Sequence, residues 1–480
     1  MSYKSIGYVL GWIMRVEGIF FLLPLVVAFW YREDTWHVYL GCAVVCFGIG
    51  RLLSGKKQGR HSRFFAREGY TAVALGWVVM SLIGALPFWI TREIPSYTDA
   101  LFEIISGFTT TGASILSRVE DLSRSALMWR SFSHWIGGMG VLVFVLQIIP
   151  VTSGQTMNLM RAESPGPSVG KLVPKIKNTA MILYGIYLAI TLIEITALML
   201  AGLNLYEAAT LSFSTTGTGG FGLLNTSIGS YSTTVQIIFI VFMLLCGINF
   251  QIFYLLLIKK PKEALGSEEL RYYLGIVLVA SILIAINVRG FFADGFQAFH
   301  HSLFQVVSVM TTTGFATLDY NVWPEFSRSI IFLLTLLGAC AGSTGGGFKV
   351  SRLIVLLRSI KNEIFSVVHP RSIKKIHMDG HIVEDGVIKS IQVYTMIYAM
   401  IFLGSFVLVS LNEFDFVTNI TAVATTFNNV GPGFNMVGPA GNYAAFSGFS
   451  KFVLMFDMLA GRLELLPILV LVSPRTWKRC

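Results

Sequence analysis

The segment DALFEIISGFTTTG, residues 99–112, decides the fold of this chain because three further stretches of the same design follow it. These are EAATLSFSTTGTGG (207–220), HSLFQVVSVMTTTG (301–314) and TNITAVATTFNNVG (418–431). Each is an apolar stretch too short to cross a bilayer, followed by small polar residues and a final glycine. This pattern is typical of a re-entrant loop, since irregular backbone at membrane depth needs protein or a water-filled cavity around it.

Aligned on the final glycine, the four segments share a spacing. Six residues earlier, at position −6, all four carry a hydroxyl: Ser106, Ser214, Ser308 and Thr425. Position −3 is occupied by Thr109, Gly217, Thr311 and Asn428. The final glycines lie 108, 94 and 117 residues apart, which indicates an internal repeat of roughly 100 residues. Each unit reads helix, short half-helix, polar loop, helix.

The composition indicates an all-α polytopic membrane protein. Of the 480 residues, 54% are hydrophobic and only 13% are charged, whereas a soluble domain has roughly 25% charged residues. A span needs about 20 apolar residues, and ten runs of suitable length are present. They lie near 7–31, 37–54, 70–91, 126–152, 179–202, 232–258, 272–290, 326–357, 387–411 and 447–472.

The basic residues alternate with charge-poor connections along the chain. Connections 51–67 and 349–389 are rich in Lys and Arg, the turns 161–177 and 259–271 and the C-terminal tail are also basic, and 203–230 and 412–450 have neither residue. Because basic loops stay on the cytoplasmic side, this alternation predicts a multi-pass protein of the cytoplasmic membrane with both termini inside. The net charge of +10 is therefore spread over turns, which argues against nucleic acid as a partner.

The repeat sets the predicted domain limits. We expect a two-helix extension at 1–68, the first repeat at 69–152, the second at 153–259, the third at 260–360 with a broken second helix, and the fourth at 361–480. Four loops in one chain would close a ring, with pseudo-four-fold symmetry around one pore, without oligomerisation.

The polar loops are candidates for an ion-selective filter. Rings of backbone carbonyls replace the hydration shell of a potassium ion in selective channels, and glycine permits the backbone conformations that aim successive carbonyls at one axis. A single TTTG string usually marks only a solvated turn, so the evidence is its recurrence. The predicted filter comprises Thr109, Thr110, Thr111, Gly112, Gly217, Thr218, Gly219, Gly220, Thr311, Thr312, Thr313, Gly314, Asn428, Asn429, Val430 and Gly431. Potassium is expected at Thr110, Thr111, Gly219, Gly220, Thr312, Thr313, Asn429 and Val430.

The span 326–357 contains a glycine-rich interruption that predicts a gate. Each glycine costs about 1 kcal/mol relative to alanine in a helix, so GACAGSTGGG (338–347) predicts a loop. It lacks the spacing of a phosphate-binding P-loop. The gate residues are Gly338, Gly342, Ser343, Thr344, Gly345, Gly346, Gly347 and Arg462. Arg462 is expected either to bond carbonyls of this loop, as a barrier beneath the filter, or to snorkel to the cytoplasmic face.

Several strings besides the four loops resemble a known family. They are WIGGMG (135–140), RAESPGP (161–167), GACAGSTGGGFK (338–349), NNVGPGF (428–434) and GRLE (461–464). Over its whole length the chain resembles the TrkH-type subunit of the Trk/Ktr/HKT potassium transporter superfamily. The resemblance implies four M1-P-M2 repeats, a homodimer, and a cytosolic nucleotide-binding RCK regulator of the TrkA type. The second loop, GTGGFG, is richer in glycine than the resemblance leads us to expect.

Three functions follow from different readings of these features. The first is channel-like potassium uptake, with K⁺ in the filter and no organic cofactor on the chain. The alternative is a cation-coupled (H⁺ or Na⁺) potassium symporter, which needs buried carboxylates along the path, and the spans offer few besides Glu194 and Asp457. A membrane enzyme would need clustered His, Asp or Glu at one membrane face. We find no such cluster, so the chain is predicted not to be an enzyme.

Overall fold

The computed structural model describes residues 3–55, 66–140, 176–371 and 375–477. The RAESPGP string, the end of the span predicted at 126–152, and basic residues at 56–63, 161–175, 374 and 478–479 lie outside the described residues. Predictions that depend on them stay predictions.

Six helical stretches are long and apolar enough to cross a membrane by length and composition. They are Tyr3–Tyr31, Trp36–Ser54, Arg67–Ile90, Met181–Leu200, Glu268–Asn287 and Asp385–Asn412. The first two form the N-terminal extension, and the other four are the first helices of the repeat units. At 1.5 Å per residue, 20 residues cover the hydrocarbon core of about 30 Å. The chain is therefore a multi-pass membrane protein.

The two N-terminal helical stretches pack against each other through small residues. A Cβ on Gly11 would lie 2.8 Å from the carbonyl oxygen of Gly50, and a Cβ on Gly50 would lie 2.6 Å from that of Gly11. Small residues let helix backbones approach this closely in membranes, where packing rather than hydrophobicity drives association. Phe21 then packs on Trp129 with ring centroids 4.5 Å apart, which fixes the extension to the first repeat.

Four half-helices follow the first helices and enter the protein without crossing it. They are Tyr97–Phe108, Leu205–Thr216, Gly295–Met310 and Phe416–Phe427. Each begins at a capping residue whose side chain accepts a hydrogen bond from a backbone amide three residues later, which satisfies an otherwise orphan donor. The caps are Ser96, Asn204, Asp294 and Asp415. The third half-helix is one turn longer than the others.

The second helices of the second, third and fourth units are broken, and that of the first unit is described only as far as residue 140. The first is Arg124–Gly138; the second is Thr233–Cys246 with Phe250–Leu257 at 89° to it; the third is Glu325–Leu337 with Val350–Val368; the fourth is Gly448–Arg462 with Leu466–Val472. The predicted break in 326–357 is confirmed. Continuous spans at 232–258 and 447–472 are wrong because Asn249 caps a new helix and because Glu464 and Leu465 take positive φ.

A short β-hairpin interrupts the otherwise helical chain. His377–Met378 pairs antiparallel with His381–Ile382, between the third and fourth units. Asp379 at its turn accepts a hydrogen bond of 2.6 Å from the backbone amide of Glu268.

The other α-helices of the described residues are seven long ones and three short ones. The long helices are Tyr3–Phe20, Leu22–Tyr31, Trp36–Ser54, Ala66–Gly84, Ile176–Leu200, Glu268–Asn287 and Asp385–Val409. The short helices are Leu86–Ile90, Pro261–Gly266 and Pro474–Trp477.

The close packing of the extension predicts different effects for two alanines on one helix. Gly50→Ala should lower stability by about 1–3 kcal/mol, because its Cβ would overlap the Gly11 carbonyl. Gly48→Ala should be neutral or stabilising, since nothing lies within 4 Å of a Cβ there. The midpoint of thermal unfolding in detergent measures both. Equal midpoints for the two variants would contradict the close approach.

Candidate ion pathway

The four half-helices end in the same backbone motif. In each loop the amide at position −1 donates to the carbonyl at −6, at 2.8, 2.9, 2.8 and 2.8 Å, and the amide at −2 donates to the carbonyl at −5, at 3.0, 2.9, 3.0 and 3.3 Å. These two bonds define a Schellman motif, in which the residue after the helix takes a left-handed conformation. The four loops therefore share one conformation, although the second and fourth differ in sequence from the TTTG of the first and third.

The residue at −2 has positive φ in every loop, and so does the final glycine. The φ angles at −2 are 54° for Thr110, 55° for Thr218, 59° for Thr312 and 56° for Asn429; at the final glycines they are 77°, 78°, 82° and 92°. A β-branched residue at positive φ is uncommon and strained. Such conformations persist when the surrounding structure fixes them. Three threonines in this state indicate that the loops are held tightly.

Alternation of the sign of φ determines where the carbonyls point. In a strand with uniformly negative φ, successive carbonyls point to opposite sides. Positive φ at −2 and at the glycine, with a residue of negative φ between them, interrupts that alternation. Neighbouring carbonyls of each loop can then face the same side, which a cation-binding ring requires.

Contacts between loops close the ring in the order of the sequence. A Cβ on Gly112 would lie 2.0 Å from the Gly219 carbonyl oxygen, and one on Gly220 would lie 1.9 Å from that of Thr313. A Cβ on Gly314 would lie 2.2 Å from the Val430 oxygen, and one on Gly431 would lie 2.6 Å from the Thr111 oxygen. Each final glycine thus packs on the −1 carbonyl of the next loop, and the fourth loop returns to the first.

The common motif also fixes the register of the second loop. Thr218 and Gly219 are level with Thr110 and Thr111, because Thr218 has the positive φ of position −2 and Gly219 donates to Ser214. The sequence prediction placed potassium at Gly219 and Gly220. By backbone conformation the residues equivalent to Thr110 and Thr111 are Thr218 and Gly219, and the placement of potassium stays a prediction.

Side chains brace the fourth loop from behind. The Asn429 amide donates to the Thr111 hydroxyl at 3.0 Å and to the Met458 carbonyl at 2.9 Å. The Asn428 amide accepts from the Tyr398 hydroxyl at 2.9 Å. Tyr443 donates to the carbonyl of Gly431 at 2.8 Å. The side-chain amides of Asn428 and Asn429 thus hold the fourth loop in place, whereas the first and third loops are braced by their threonine hydroxyls.

A polar vestibule lies on one side of the ring, and one of its lining residues belongs to a buried ion pair that sequence reasoning missed. The four final glycines and Arg130 are among its lining residues. Arg130 is 3% exposed, and its Nε donates to Glu103 Oε1 at 2.5 Å. Glu103 also accepts from the hydroxyl of Ser114 and the amide of Ile115. The carboxylate balances the positive charge of Arg130 beside the vestibule. A lone acid in an apolar half-helix is the sequence signal that could have found it.

The loop 338–347 lies on the other side of the ring and contacts the second, third and fourth units. The Gly346 amide donates to the Thr312 hydroxyl at 2.7 Å, and a Cβ on Gly346 would lie 2.6 Å from the Asn428 carbonyl oxygen. The Gly342 carbonyl accepts from the Phe250 amide at 3.0 Å. The loop therefore contacts the third and fourth loops of the ring and the bend in the second unit.

Arg462 completes the closure toward the first unit. Its guanidinium donates to the Thr344 carbonyl at 2.7 Å and to the Gly137 and Gly138 carbonyls at 2.5 and 2.7 Å. The predicted contact with the glycine-rich loop is present, and the two carbonyls of the first unit are additional. The nearby Glu464 pairs instead with Arg352. A single guanidinium thus ties the loop to the WIGGMG segment.

The remaining gate residues adopt conformations that favour glycine. Gly338, Gly342 and Gly347 have φ of 75°, 71° and 78°, and the Ser343 hydroxyl donates to the Cys340 carbonyl at 2.7 Å. A Cβ on Gly345 would lie 2.9 Å from the Thr311 carbonyl oxygen. Glu269 accepts from the amides of Ala341 and Ser351 at 2.8 and 3.0 Å. This anchor, at the start of the third unit, was not predicted.

Comparison with known proteins agrees with this architecture. The family model for TrkH, a cation transport protein, matches residues 33–291 and 293–479. The chain belongs to the TrkH family. It is therefore grouped with transport proteins rather than with enzymes.

Individual relatives cover the whole chain. It is 32% identical over 485 residues to the Trk system potassium uptake protein TrkH of Salmonella typhimurium, covering 100% of both chains. It is 32% identical over 483 residues to the Trk system potassium uptake protein TrkG of Escherichia coli, covering 99% of both. The crystal structure of the potassium transporter TrkH from Vibrio parahaemolyticus superposes with a TM-score of 0.89 at 30% identity, covering 100% of both chains.

The ring geometry predicts opposite outcomes for two neighbouring substitutions in this TrkH family member. Gly112→Ala should lower the free energy of unfolding by at least about 1–3 kcal/mol, because its Cβ would overlap the Gly219 carbonyl. Thr110→Asn should be tolerated, since asparagine accepts positive φ and Asn429 occupies the equivalent position. Thermal unfolding in detergent compares the two. A Gly112→Ala protein as stable as wild type would refute the closed ring.

Proposed function

We propose that this protein conducts potassium into the cell through the ring of four loops, as a channel-like uptake subunit of the cytoplasmic membrane. The single observation that carries the proposal is the ring itself, closed by contacts of each final glycine with the next loop's carbonyl. The relatives are named as potassium uptake proteins of the Trk system, which supports potassium as the ion. One charge moved across 100 mV is worth about 2.3 kcal/mol, so an inside-negative membrane drives uptake without substrate chemistry.

The half-helices add a field that favours a cation at the ring. All four end at the ring with their carboxyl ends, and the carboxyl end of a helix carries roughly half a negative charge. In the proposed filter the ion is held by carbonyls at −2 and −1, from Thr110, Thr111, Thr312, Thr313, Asn429, Val430 and the second-loop pair Thr218 and Gly219. Carbonyl dipoles bind without trapping the ion, which conduction requires.

In this proposal the loop 338–347 is the gate, and Arg462 is its electrostatic component. An ion leaving the −3 carbonyls of the third and fourth loops meets Gly345 and Gly346, which pack on the carbonyls of Thr311 and Asn428. The guanidinium of Arg462 places a positive charge at the same level. Conduction requires the loop to leave this position, and its glycines permit the backbone change.

The runner-up function is a proton- or sodium-coupled potassium symporter. The two buried carboxylates that it would use are Glu194 and Asp457, both 0% exposed. Asp457 accepts a hydrogen bond of 2.6 Å from Ser405, and neither residue lines the vestibule. Their absence from the vestibule lining favours the uncoupled mechanism.

The finer features of topology and assembly also belong to the proposal. Both termini lie in the cytoplasm, on the side of the basic connections. The protein works as a homodimer, and a cytosolic TrkA-type RCK subunit that binds a nucleotide sets the position of the gate. The support is the family membership and the naming of the relatives as parts of a Trk system.

Flux measurements in proteoliposomes test the selectivity. Wild-type protein should take up ⁸⁶Rb⁺ down its gradient, with potassium as an effective competitor and sodium a weak one. Gly112→Ser should abolish uptake, because its side chain would overlap the Gly219 carbonyl. Gly185→Ser is the control, since a Cβ there meets nothing within 4 Å. Sodium competing as well as potassium against wild type would refute the proposed ion.

Neutral variants of the buried acids separate the two mechanisms. Glu194→Gln and Asp457→Asn should keep ⁸⁶Rb⁺ uptake within about twofold of wild type, since interactions remote from the path carry little of the ion's binding energy. Imposed proton or sodium gradients should leave their uptake, and that of wild type, unchanged. Uptake driven against a potassium gradient by either ion, and lost in these variants, would establish the symporter instead.

Shortening the loop tests the gate. Deletion of 340–346 should raise ⁸⁶Rb⁺ flux, because the backbone that packs below the filter is removed. Arg462→Gln should raise it as well by removing the positive charge, whereas Arg475→Gln, near the C-terminus, should not. Unchanged flux in both the deletion and Arg462→Gln would contradict the assigned role.

A further inference from the structure

The second filter loop lacks the internal brace that supports two of its neighbours. In the first loop the hydroxyls of Thr109 and Thr111, at −3 and −1, are 2.8 Å apart. In the third loop Thr311 and Thr313 make the same contact at 2.8 Å. The second loop has glycine at both positions, so no side chain of its own fills the space behind its carbonyls.

His134 fills that space from the second helix of the first unit. A Cβ on Gly219 would lie 1.9 Å from its Nδ1 and 2.2 Å from its Cγ, and a Cβ on Gly217 would lie 2.5 Å from its carbonyl oxygen. The imidazole stacks on Phe221, with ring centroids 4.2 Å apart and an interplanar angle of 22°. His134 therefore occupies the space that side chains at −3 and −1 of the second loop would need.

The imidazole contacts the loop by van der Waals packing and not by a hydrogen bond. His134 is fully buried, and within the part of the chain that the structure describes neither ring nitrogen forms a hydrogen bond. A buried polar group without a partner costs free energy. The contact with Gly219 is therefore made by the planar group at Cγ and Nδ1 rather than by a hydrogen bond.

Gly219 links the imidazole to the ring of carbonyls. Its Cα faces His134, and its carbonyl oxygen packs against Gly112 of the first loop. Displacement of Gly219 toward an empty space would move that carbonyl away from the axis. Because carbonyl number and position set the field that an ion experiences, such a displacement changes which ion is preferred.

We infer that His134 is a positioning residue for ion selectivity, whose imidazole stands in for the missing threonine pair and holds the Gly219 carbonyl in the filter. This inference rests on the proposed potassium pathway. On this inference, the glycines of the second loop and His134 of the first repeat act together, because the imidazole packs where the loop has no side chains. The residue does not contact the ion.

Competition of ⁸⁶Rb⁺ uptake by potassium and sodium tests the role. His134→Ala should lower the ratio of potassium to sodium preference by about tenfold, because the Gly219 carbonyl loses its support. His134→Asn keeps Cγ and an atom at the place of Nδ1, so it should stay within about twofold of wild type. A His134→Ala protein with wild-type preference would overturn the inference.

A second-site variant keeps the test decisive if His134→Ala assembles poorly. Gly219→Ala alone should abolish uptake, since its methyl group would overlap Nδ1. The double variant His134→Ala/Gly219→Ala should recover uptake and preference relative to Gly219→Ala, because the methyl group enters the vacated space. Equal loss in the single and double variants would overturn the inference. Failure of the proposed function is distinct, since wild type itself would then show no preference for potassium.

Discussion

The packing of each final glycine against the carbonyl of the next loop is the contact on which the rest of the structure depends. It requires glycine at the end of every loop, because any Cβ would overlap a main-chain oxygen at 1.9–2.6 Å. It also requires the half-helices to stop at one level, so that the carbonyls of four separate segments form a single ring. The Schellman motifs meet this requirement by turning the backbone within two residues.

The recurrence of the loops and their final glycines could be predicted from the sequence because both are local patterns. The physical role of the hydroxyls at −6 could not. The shared contact at that position is made by the main-chain carbonyl, while the Ser308 hydroxyl bonds Phe315 and that of Thr425 lies 2.8 Å from the Tyr443 hydroxyl. A hydrogen bond of the main chain does not depend on the type of side chain. The shared hydroxyl at −6 therefore marks the position of the bond but does not make it.

Continuous apolar runs also misled the prediction of the second helices. Hydrophobicity reports the surroundings of a residue, and both arms of a bent helix are buried in protein or lipid. The direction of the backbone near Asn249 and Leu465 depends on caps and positive φ, which an apolar count does not detect. The pairing of Glu103 with Arg130, 27 residues apart, is likewise a tertiary fact. The break in the second helix of the third unit was predictable because the five glycines of 338–347 are themselves the signal.

Building the ring from one chain has a consequence for how it tolerates change. In a ring of four identical subunits, every substitution occurs four times, so a residue must be tolerated in all four loops at once. Here each wall is encoded separately, and the walls have diverged: asparagines brace the fourth loop, and a neighbouring histidine packs behind the second. The glycine-rich loop 338–347 and Arg462 each occur in one unit, and they meet on one side of the ring. A single mutation in such a protein alters one quarter of the ring and leaves the other three loops unchanged.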